Sequence, residues 1–335
     1  MGGRDVTTLD AEKQMVSDLW LDQSDAHERI DGRLQAGTIS SDEAASLRHF
    51  TDHGYATLSL DLDDEFFGAF DADIDRLWDE RPFDLAVGSA GMRVSFRDYE
   101  DDRALGHRLP DIHSHSPTAR SLYLNSKIFR MVELIFGQRS IAFQSLYFQF
   151  GSQQDLHRDP MFVTTRPPPN LLASWTALED ITLERGPLMY ARGSHRMPWF
   201  EFSDDSVSLT PAVSEERRQA WRSYRDDMIE TMNCAVETFT CKRGDVFLWH
   251  AGLLHGGQRV ADEKLTRKSF VVHYSTEAHY RDRTASMHVK SRENGEEVWR
   301  LVKGTTDHRL HADGFLGLDN PLRYIPSTEA ARITA

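Results

Sequence analysis

The sequence predicts a mainly β protein with flanking helices, its strands forming an antiparallel sandwich or barrel. Two observations carry that expectation. From about residue 139 the chain reads as short aromatic or β-branched segments bounded by Gly, Pro or Asp: "SIAFQSLYFQF", "LLASWTALED", "GPLMYARGSH", "CAVETFTCKRG", "DVFLWHAGLLHGG" and "KSFVVHYS". Short strands separated by loops favour a sandwich or barrel over a layered α/β sheet. Ahead of them, the apolar residues recur at helical spacing.

Taken in order, "DAEKQMVSDLWLDQ" and "DAHERIDGRLQAG" predict helices, with Gly37 closing the second. Ser40 and Glu43 form a capping box that opens "SDEAASLRHFTDHG". "YATLSL" predicts a strand and "DEFFGAFDADIDRLWDE" an amphipathic helix. Residues 81–120, rich in Arg, Asp, Gly and His with weak periodicity, are expected to be loops near a substrate. The strand series is interrupted at about 197–232, where "SEERRQAWRSYRDDMIETM" predicts a helix. From about 286, charged residues around "VWRLV" suggest a partly helical tail. The domain organisation that follows is an N-terminal helical extension (1–45), a β domain (46–285) with a helical insertion at about 197–232, and a C-terminal extension (286–335).

Composition narrows the function. At 335 residues and 39% apolar, the chain can bury a sizeable core. The net charge of −14 argues against a nucleic-acid or anionic-membrane binder, because phosphate surfaces need an excess of Lys and Arg. Residues 10–84 carry about 20 acidic against about 6 basic side chains, which reads as a solvated face. The two cysteines, Cys234 and Cys241, fit no zinc or redox spacing, so a reduced, cytoplasmic protein is expected. "MGGRDVTTLD" has no signal-peptide pattern, and no apolar run is long enough to span a membrane.

Chemistry is concentrated in "QQDLHRDPMF". On an extended segment, residues two apart share a face, so His157 and Asp159 converge. The stretch "GDVFLWHAGLLHGGQRV" adds His250 and His255. Two histidines and one carboxylate make the facial triad of non-haem iron(II) oxygenases, which leaves coordination positions open for substrates. His255 is the better third ligand, because the glycines after it permit close approach to a bound ligand. His250, following Trp249 on an apolar strand, is expected to be a packed histidine. Twelve residues after His255, Arg267 opens "RKSFVVHYS", where its planar fork could hold a carboxylate, with Ser269 on the same strand face.

The segments "LHRDPMF", "LLASWTALEDITLERGPLMYARGSHR" and "GDVFLWHAGLLHGGQRV…LTRKSFVVHYS", with "HFTDHGYATLSL" before them, resemble the phytanoyl-CoA dioxygenase family of iron(II)- and 2-oxoglutarate-dependent oxygenases over about residues 45–280. The resemblance implies a double-stranded β-helix, the cupin-like jelly roll. It implies His157, Asp159 and His255 as iron ligands and Arg267 as the anchor of the distal carboxylate of 2-oxoglutarate, with O2 as the second co-substrate. It also implies Trp175, eighteen residues after His157, and Gln144 as parts of the 2-oxoglutarate pocket. The chain departs from the family pattern in having no lysine in "YFQFG" and in having Gly257 where a hydroxyl residue is usual. Related halogenases carry Gly or Ala at the position of Asp159, so the carboxylate points to hydroxylation or another oxidation. The acidic balance favours a small or medium polar metabolite as substrate. The alternatives are an acyl-CoA substrate, or a non-catalytic, cupin-like metal-binding protein, which would have no use for Arg267. Oligomeric state is not legible in the sequence.

Overall fold

In the computed structural model, the described residues are 19–276 apart from 83–84, 90–91, 97–98, 100–102, 104–106, 164–169 and 204–205, together with the strand backbones at 286–293, 296–303, 309–312 and 322–325. The N-terminal part forms a short 3-10 turn at Trp20–Asp22 and helices α1 (Ala26–Gln35) and α2 (Ser41–His53). Most of "DAEKQMVSDLWLDQ" lies outside the described residues. The capping box at α2 is fully formed, with Ser40 Oγ accepting from the Glu43 N–H and Glu43 Oε2 accepting from the Ser40 N–H. After α2 come β1 (Tyr55–Ser59) and α3 (Asp64–Glu80). Helix α3 buries Phe67, Phe70, Ile74 and Leu77, the three-four spacing of a single face.

Residues 81–120 are more ordered than their composition suggests. They contain β2 (Ala86–Ser89), β3 (Met92–Ser95), β4 (Arg108–Pro110) and the start of α4 (Pro117–Tyr123). These strands are only three or four residues long, so they carry little of the alternation by which strands are recognised. Helix α5 (Ser126–Phe136) buries Ile128, Met131, Val132 and Ile135, which follow the three-four spacing of a single helix face. It ends at Gly137, whose φ of +69° favours glycine, and where a Cβ would sit 2.9 Å from the Trp20 ring.

All six strand segments expected beyond residue 139 are present. They are β5 (Ser140–Phe148), β6 (Leu172–Ala177), β7 (Leu188–Ala191), β8 (Val236–Phe239), β9 (Asp245–His250) with β10 (His255–Gly257), and β11 (Ser269–Thr276). The insertion helix, α6, spans Glu215–Thr231. Beyond residue 285 the described backbone is not helical: it forms β12 (Ser286–Glu293), β13 (Glu296–Lys303), β14 (Arg309–Ala312) and β15 (Leu322–Ile325).

Two sheets face each other. The larger runs β1-β9-β6-β11-β5-β4-β2-β3-β12-β13 and the smaller runs β10-β7-β8. Pairing is antiparallel throughout the barrel strands, and the architecture is a cupin-like jelly roll. Strand alternation sends side chains to two separate cores. Phe270, Val272, Tyr274, Leu172, Val246 and Leu248 point outward and pack under the helices. Val271, Trp175, Ala173, Phe247, Trp249 and Phe148 point into the barrel. Residues 19–53 share the outer core with the sheet and α3. Among the described residues, no helix is long and apolar enough to cross a membrane.

Phe270 is fully buried and meets Phe70 of α3 edge-on at 5.7 Å. Truncating it would leave a cavity where the sheet joins its helical layer. Phe270→Ala is expected to destabilise the fold by about 3–5 kcal/mol, with the loss read from denaturant unfolding at constant slope.

Candidate active site and metal centre

His157 does not lie in a long strand. It forms one isolated antiparallel bridge with His255, the first residue of β10, and each backbone N–H donates to the other's carbonyl at 2.9 and 3.0 Å. Directly paired residues of an antiparallel bridge present their side chains to the same side, and the two imidazole centroids are 4.5 Å apart. Arg158 keeps the chain extended for one more residue, and Asp159 then begins a 3-10 turn ending at Met161. Thus the same-face geometry expected of a strand is achieved by a bridge and a turn.

The side chain between the two candidate ligands points the other way. The Arg158 guanidinium is buried and donates to the carbonyls of Ser194, Met197 and Pro198, with the Trp199 ring 4.9 Å away. Charge-assisted bonds to three carbonyls pin the segment from behind. The two glycines after His255 serve a different end from the one expected. A Cβ on Gly256 would lie 2.5 Å from the Gln154 carbonyl oxygen, and one on Gly257 would lie 2.5 Å from Ser152 Oγ. They admit the neighbouring backbone, which lets β10 run beside the segment leading to His157.

His157, Asp159 and His255 are all buried, and each offers a ligand atom within 4.8 Å of the others. His157 Nδ1 donates to the Asp155 carbonyl at 2.8 Å, and His255 Nδ1 donates to the Leu253 carbonyl at 3.1 Å. A carbonyl can only accept, so the proton sits on Nδ1 and Nε2 keeps its lone pair for a metal. Burial, aided by the neighbouring His255, pushes the His157 imidazole down to about 3, so the ring is neutral at ordinary pH. Burial alone would raise the Asp159 carboxyl, but the neighbouring His255 and His273 side chains hold it well below the usual range.

The two oxygens of Asp159 have different tasks. Trp249 Nε1 donates to Oδ2 at 2.8 Å, and His273 Nε2 lies 3.8 Å from the same oxygen. Oδ1 faces His255 Nε2 at 3.3 Å and His157 Nε2 at 3.9 Å. One oxygen is occupied by the indole, and the other is left toward the histidines. His250 is elsewhere: Nδ1 accepts from the Gly252 N–H at 2.9 Å and Nε2 faces Asp22 Oδ2 at 3.2 Å. Both its ring nitrogens are used in packing.

Arg267 is only 3% exposed, its Nε has no partner among the described residues, and the rings of Trp175 and Phe148 lie 5.6 and 5.7 Å away. Burial lowers its pKa to about 10, still fully charged at neutral pH. Ser269 Oγ, Gln144 Oε1, Trp175 Nε1 and His273 Nδ1 are likewise buried without a partner. The register of β11 on β5 and β6 pairs His273 with Gln144 and Val271 with Trp175, and alternation puts all of them on the face of Ser269. Native proteins rarely leave so many polar atoms unsatisfied. A bound polar molecule with a carboxylate toward Arg267 would satisfy them.

Sequence reasoning overlooked Trp249, Arg158 and His273. His273 was within reach, because Arg267, Ser269, Val271 and His273 fall on one period-two face. It also overlooked Arg108, which stands opposite Phe148 on β4 and whose charge contributes to lowering the His157 pKa. No local signal marks that residue.

A jelly roll with two histidines and a carboxylate converging at its smaller sheet has the fold and donor set of a non-haem iron(II) oxygenase. The chain belongs to the phytanoyl-CoA dioxygenase (PhyH) family, whose pattern matches residues 50–269. It is 35% identical over 95 residues to phytanoyl-CoA dioxygenase domain-containing protein 1 of Mus musculus, covering 27% of this chain and 32% of the mouse protein. The homologous protein of Caenorhabditis briggsae is 29% identical over 99 residues, 28% of this chain and 34% of that protein. The chain therefore aligns with about a third of the length of these curated relatives.

Similar solved structures include the non-haem α-ketoglutarate-dependent carbocyclase SnoK from nogalamycin biosynthesis, with TM-score 0.54 and 19% identity over 72% of this chain and 86% of that one. The α-ketoglutarate-dependent epimerase SnoN from the same pathway gives TM-score 0.52 and 19% identity over 73% and 85%. EctD from S. alaskensis, solved with 2-oxoglutarate and 5-hydroxyectoine, gives TM-score 0.52 and 20% identity over 72% and 77%. At these identities the likeness concerns the fold.

The geometry separates the two candidate histidines. His255→Ala is expected to lose iron(II) binding and His250→Ala to retain it, in equilibrium titrations of the folded variants. Retained binding in the first and loss in the second would move the third ligand to His250. Trp249→Phe keeps the ring but removes the donor to Asp159. It is expected to weaken metal binding about tenfold, the lower end of what the loss of a group supporting a ligand costs.

Proposed function

We propose that this protein is an iron(II)- and 2-oxoglutarate-dependent dioxygenase that hydroxylates an unactivated C–H bond of a small or medium polar metabolite. The observation that carries the reading is Arg267: a buried guanidinium with an unpartnered Nε, on the interior side of the barrel that also receives Asp159 and the two histidines. A metal-storage or purely structural site has no reason to bury a guanidinium with an open donor, because a buried donor left unsatisfied is costly.

His157 Nε2, Asp159 Oδ1 and His255 Nε2 would hold the metal, their ligand atoms lying within 4.8 Å of one another. Trp249 keeps Asp159 from turning its second oxygen inward. Arg267 and Ser269 hold the distal carboxylate of 2-oxoglutarate, and Trp175 and Gln144 complete that pocket with their unsatisfied indole and amide groups. When bound, iron with 2-oxoglutarate and O2 supplies the oxidising power that no side chain here possesses. The chain's part is to orient the substrate and to exclude water, which the apolar barrel interior of Trp175, Phe247, Val271 and Phe148 does. The net charge of −14 is unfavourable for the phosphates of an acyl-CoA and supports a polar metabolite without them as substrate.

The test is iron-dependent release of succinate from 2-oxoglutarate without added substrate, followed by a metabolite screen for a mass gain of one oxygen. Purified, iron-loaded protein that consumes no 2-oxoglutarate under any of these conditions would leave the metal-binding alternative standing. Arg267→Ala is expected to weaken 2-oxoglutarate binding by about 1.5–3 kcal/mol, the scale of a charge-assisted bond to a buried carboxylate. Iron affinity should be nearly unchanged, and an unaltered KM for 2-oxoglutarate would remove the anchor assignment.

A further inference from the structure

The insertion between β7 and β8 packs directly behind the metal-ligand segment. Trp221 of α6 shares an apolar cluster with Met161, two residues after Asp159, and with Leu254, the residue before His255. The Leu209 N–H donates to the Met161 carbonyl at 2.8 Å. The strongest link is polar. Arg225 of α6 is nearly buried, its side chain 10% exposed, against 40% for Arg222 on the same helix. Its Nη1 donates to Asp155 Oδ2 at 2.6 Å and to the Leu156 carbonyl at 3.1 Å, while Nε donates to Asp226 Oδ1 at 2.8 Å. Asp155 Oδ1 in turn accepts from the Leu156 N–H at 2.8 Å.

These bonds surround one peptide unit. The Leu156 N–H is tied to the Asp155 carboxylate, and both that carboxylate and the Leu156 carbonyl are tied to the guanidinium. The carbonyl on the other side of the unit, Asp155 C=O, is the acceptor of the His157 Nδ1–H. Its direction sets the rotation of the imidazole and hence where Nε2 points. Arg222, by contrast, is occupied by Glu215 and Gln219 within its own helix.

We propose that Arg225 is a positioning residue for the metal centre: from the insertion helix it fixes the 155–156 peptide, and through it the imidazole of His157. The insertion thereby serves as an outer clamp of the metal site. This rests on the reading of His157, Asp159 and His255 as metal ligands. A guanidinium is suited to the task because its fork serves Asp155, Leu156 and Asp226 at fixed angles, which the single ammonium of a lysine does not.

The test uses the full chain titrated with Co(II), read by visible absorption and by the exchange of the imidazole Nδ1 protons in the paramagnetic spectrum. The His157 resonance is assigned as the one shifted in Phe162→Leu, whose ring lies 5.4 Å from that of His157, and the other belongs to His255. Arg225→Met is expected to bind Co(II) about tenfold more weakly, as groups that orient a metal-binding histidine typically contribute tenfold or more. Its His157 Nδ1 proton should exchange faster with water while that of His255 is unchanged. Arg225→Lys should fall between, and Arg222→Met should match the wild type. Asp155→Asn should add little to the loss already caused by Arg225→Met, because both act on one peptide. Wild-type affinity and unchanged His157 exchange in Arg225→Met would overturn the proposal, as would an equal loss in Arg222→Met. A wild-type protein whose Co(II) binding survives His157→Ala would instead overturn the ligand assignment itself, and the role of Arg225 with it.

Discussion

The site depends on one pair of backbone hydrogen bonds, between His157 and His255. They bring together residues almost a hundred apart in sequence. Because paired residues share a side, this bridge fixes the spacing of two imidazoles without any contact between the side chains being required. The surrounding features serve it. Gly256 and Gly257 allow the chains to approach, Arg158 anchors the segment behind, and Trp249 receives the aspartate that the 3-10 turn delivers.

The second constraint is the exclusion of water. The same apolar interior that makes a stable barrel keeps His157 neutral and Arg267 desolvated. A metal needs a neutral imidazole, and a carboxylate is bound most strongly by a cation stripped of water. The cost is a set of unsatisfied polar atoms on β5, β6 and β11. They are concentrated on the interior face, while the outer face of the same strands is filled by Phe270, Val272 and Tyr274 under the helices. Alternation along β11 therefore divides one strand between stability and function.

The helical layer and the insertion hold this interior from opposite sides. Helices α3 and α5 close the outer face of the larger sheet. Helix α6 closes the back of the ligand segment through Met161, Leu254 and Arg225. What looks in sequence like an interruption of the strand series is in space a support for its most demanding part.

By itself the sequence determined the strands beyond residue 139, the helices at the N-terminus and in the insertion, and the donor types. These are local: period, capping and residue chemistry act over a few positions. It also pointed to His255, Arg267, Ser269, Trp175 and Gln144, all of which turn toward the barrel interior or its ligand cluster. Tertiary structure decided the rest. The short strands at 86–89, 92–95 and 108–110 exist because neighbours pair with them on both sides, and runs of three or four residues carry little periodic signal. The expected helical character beyond residue 286 gave way to strand pairing for the same reason. Which of His250 and His255 faces Asp159 was fixed by where β9 turns into β10, with Asp22 and Gly252 taking the other histidine. The roles of Trp249, Arg158 and Arg225 depend on contacts 90, 36 and 70 residues away in the chain, a separation over which no pattern in the sequence extends.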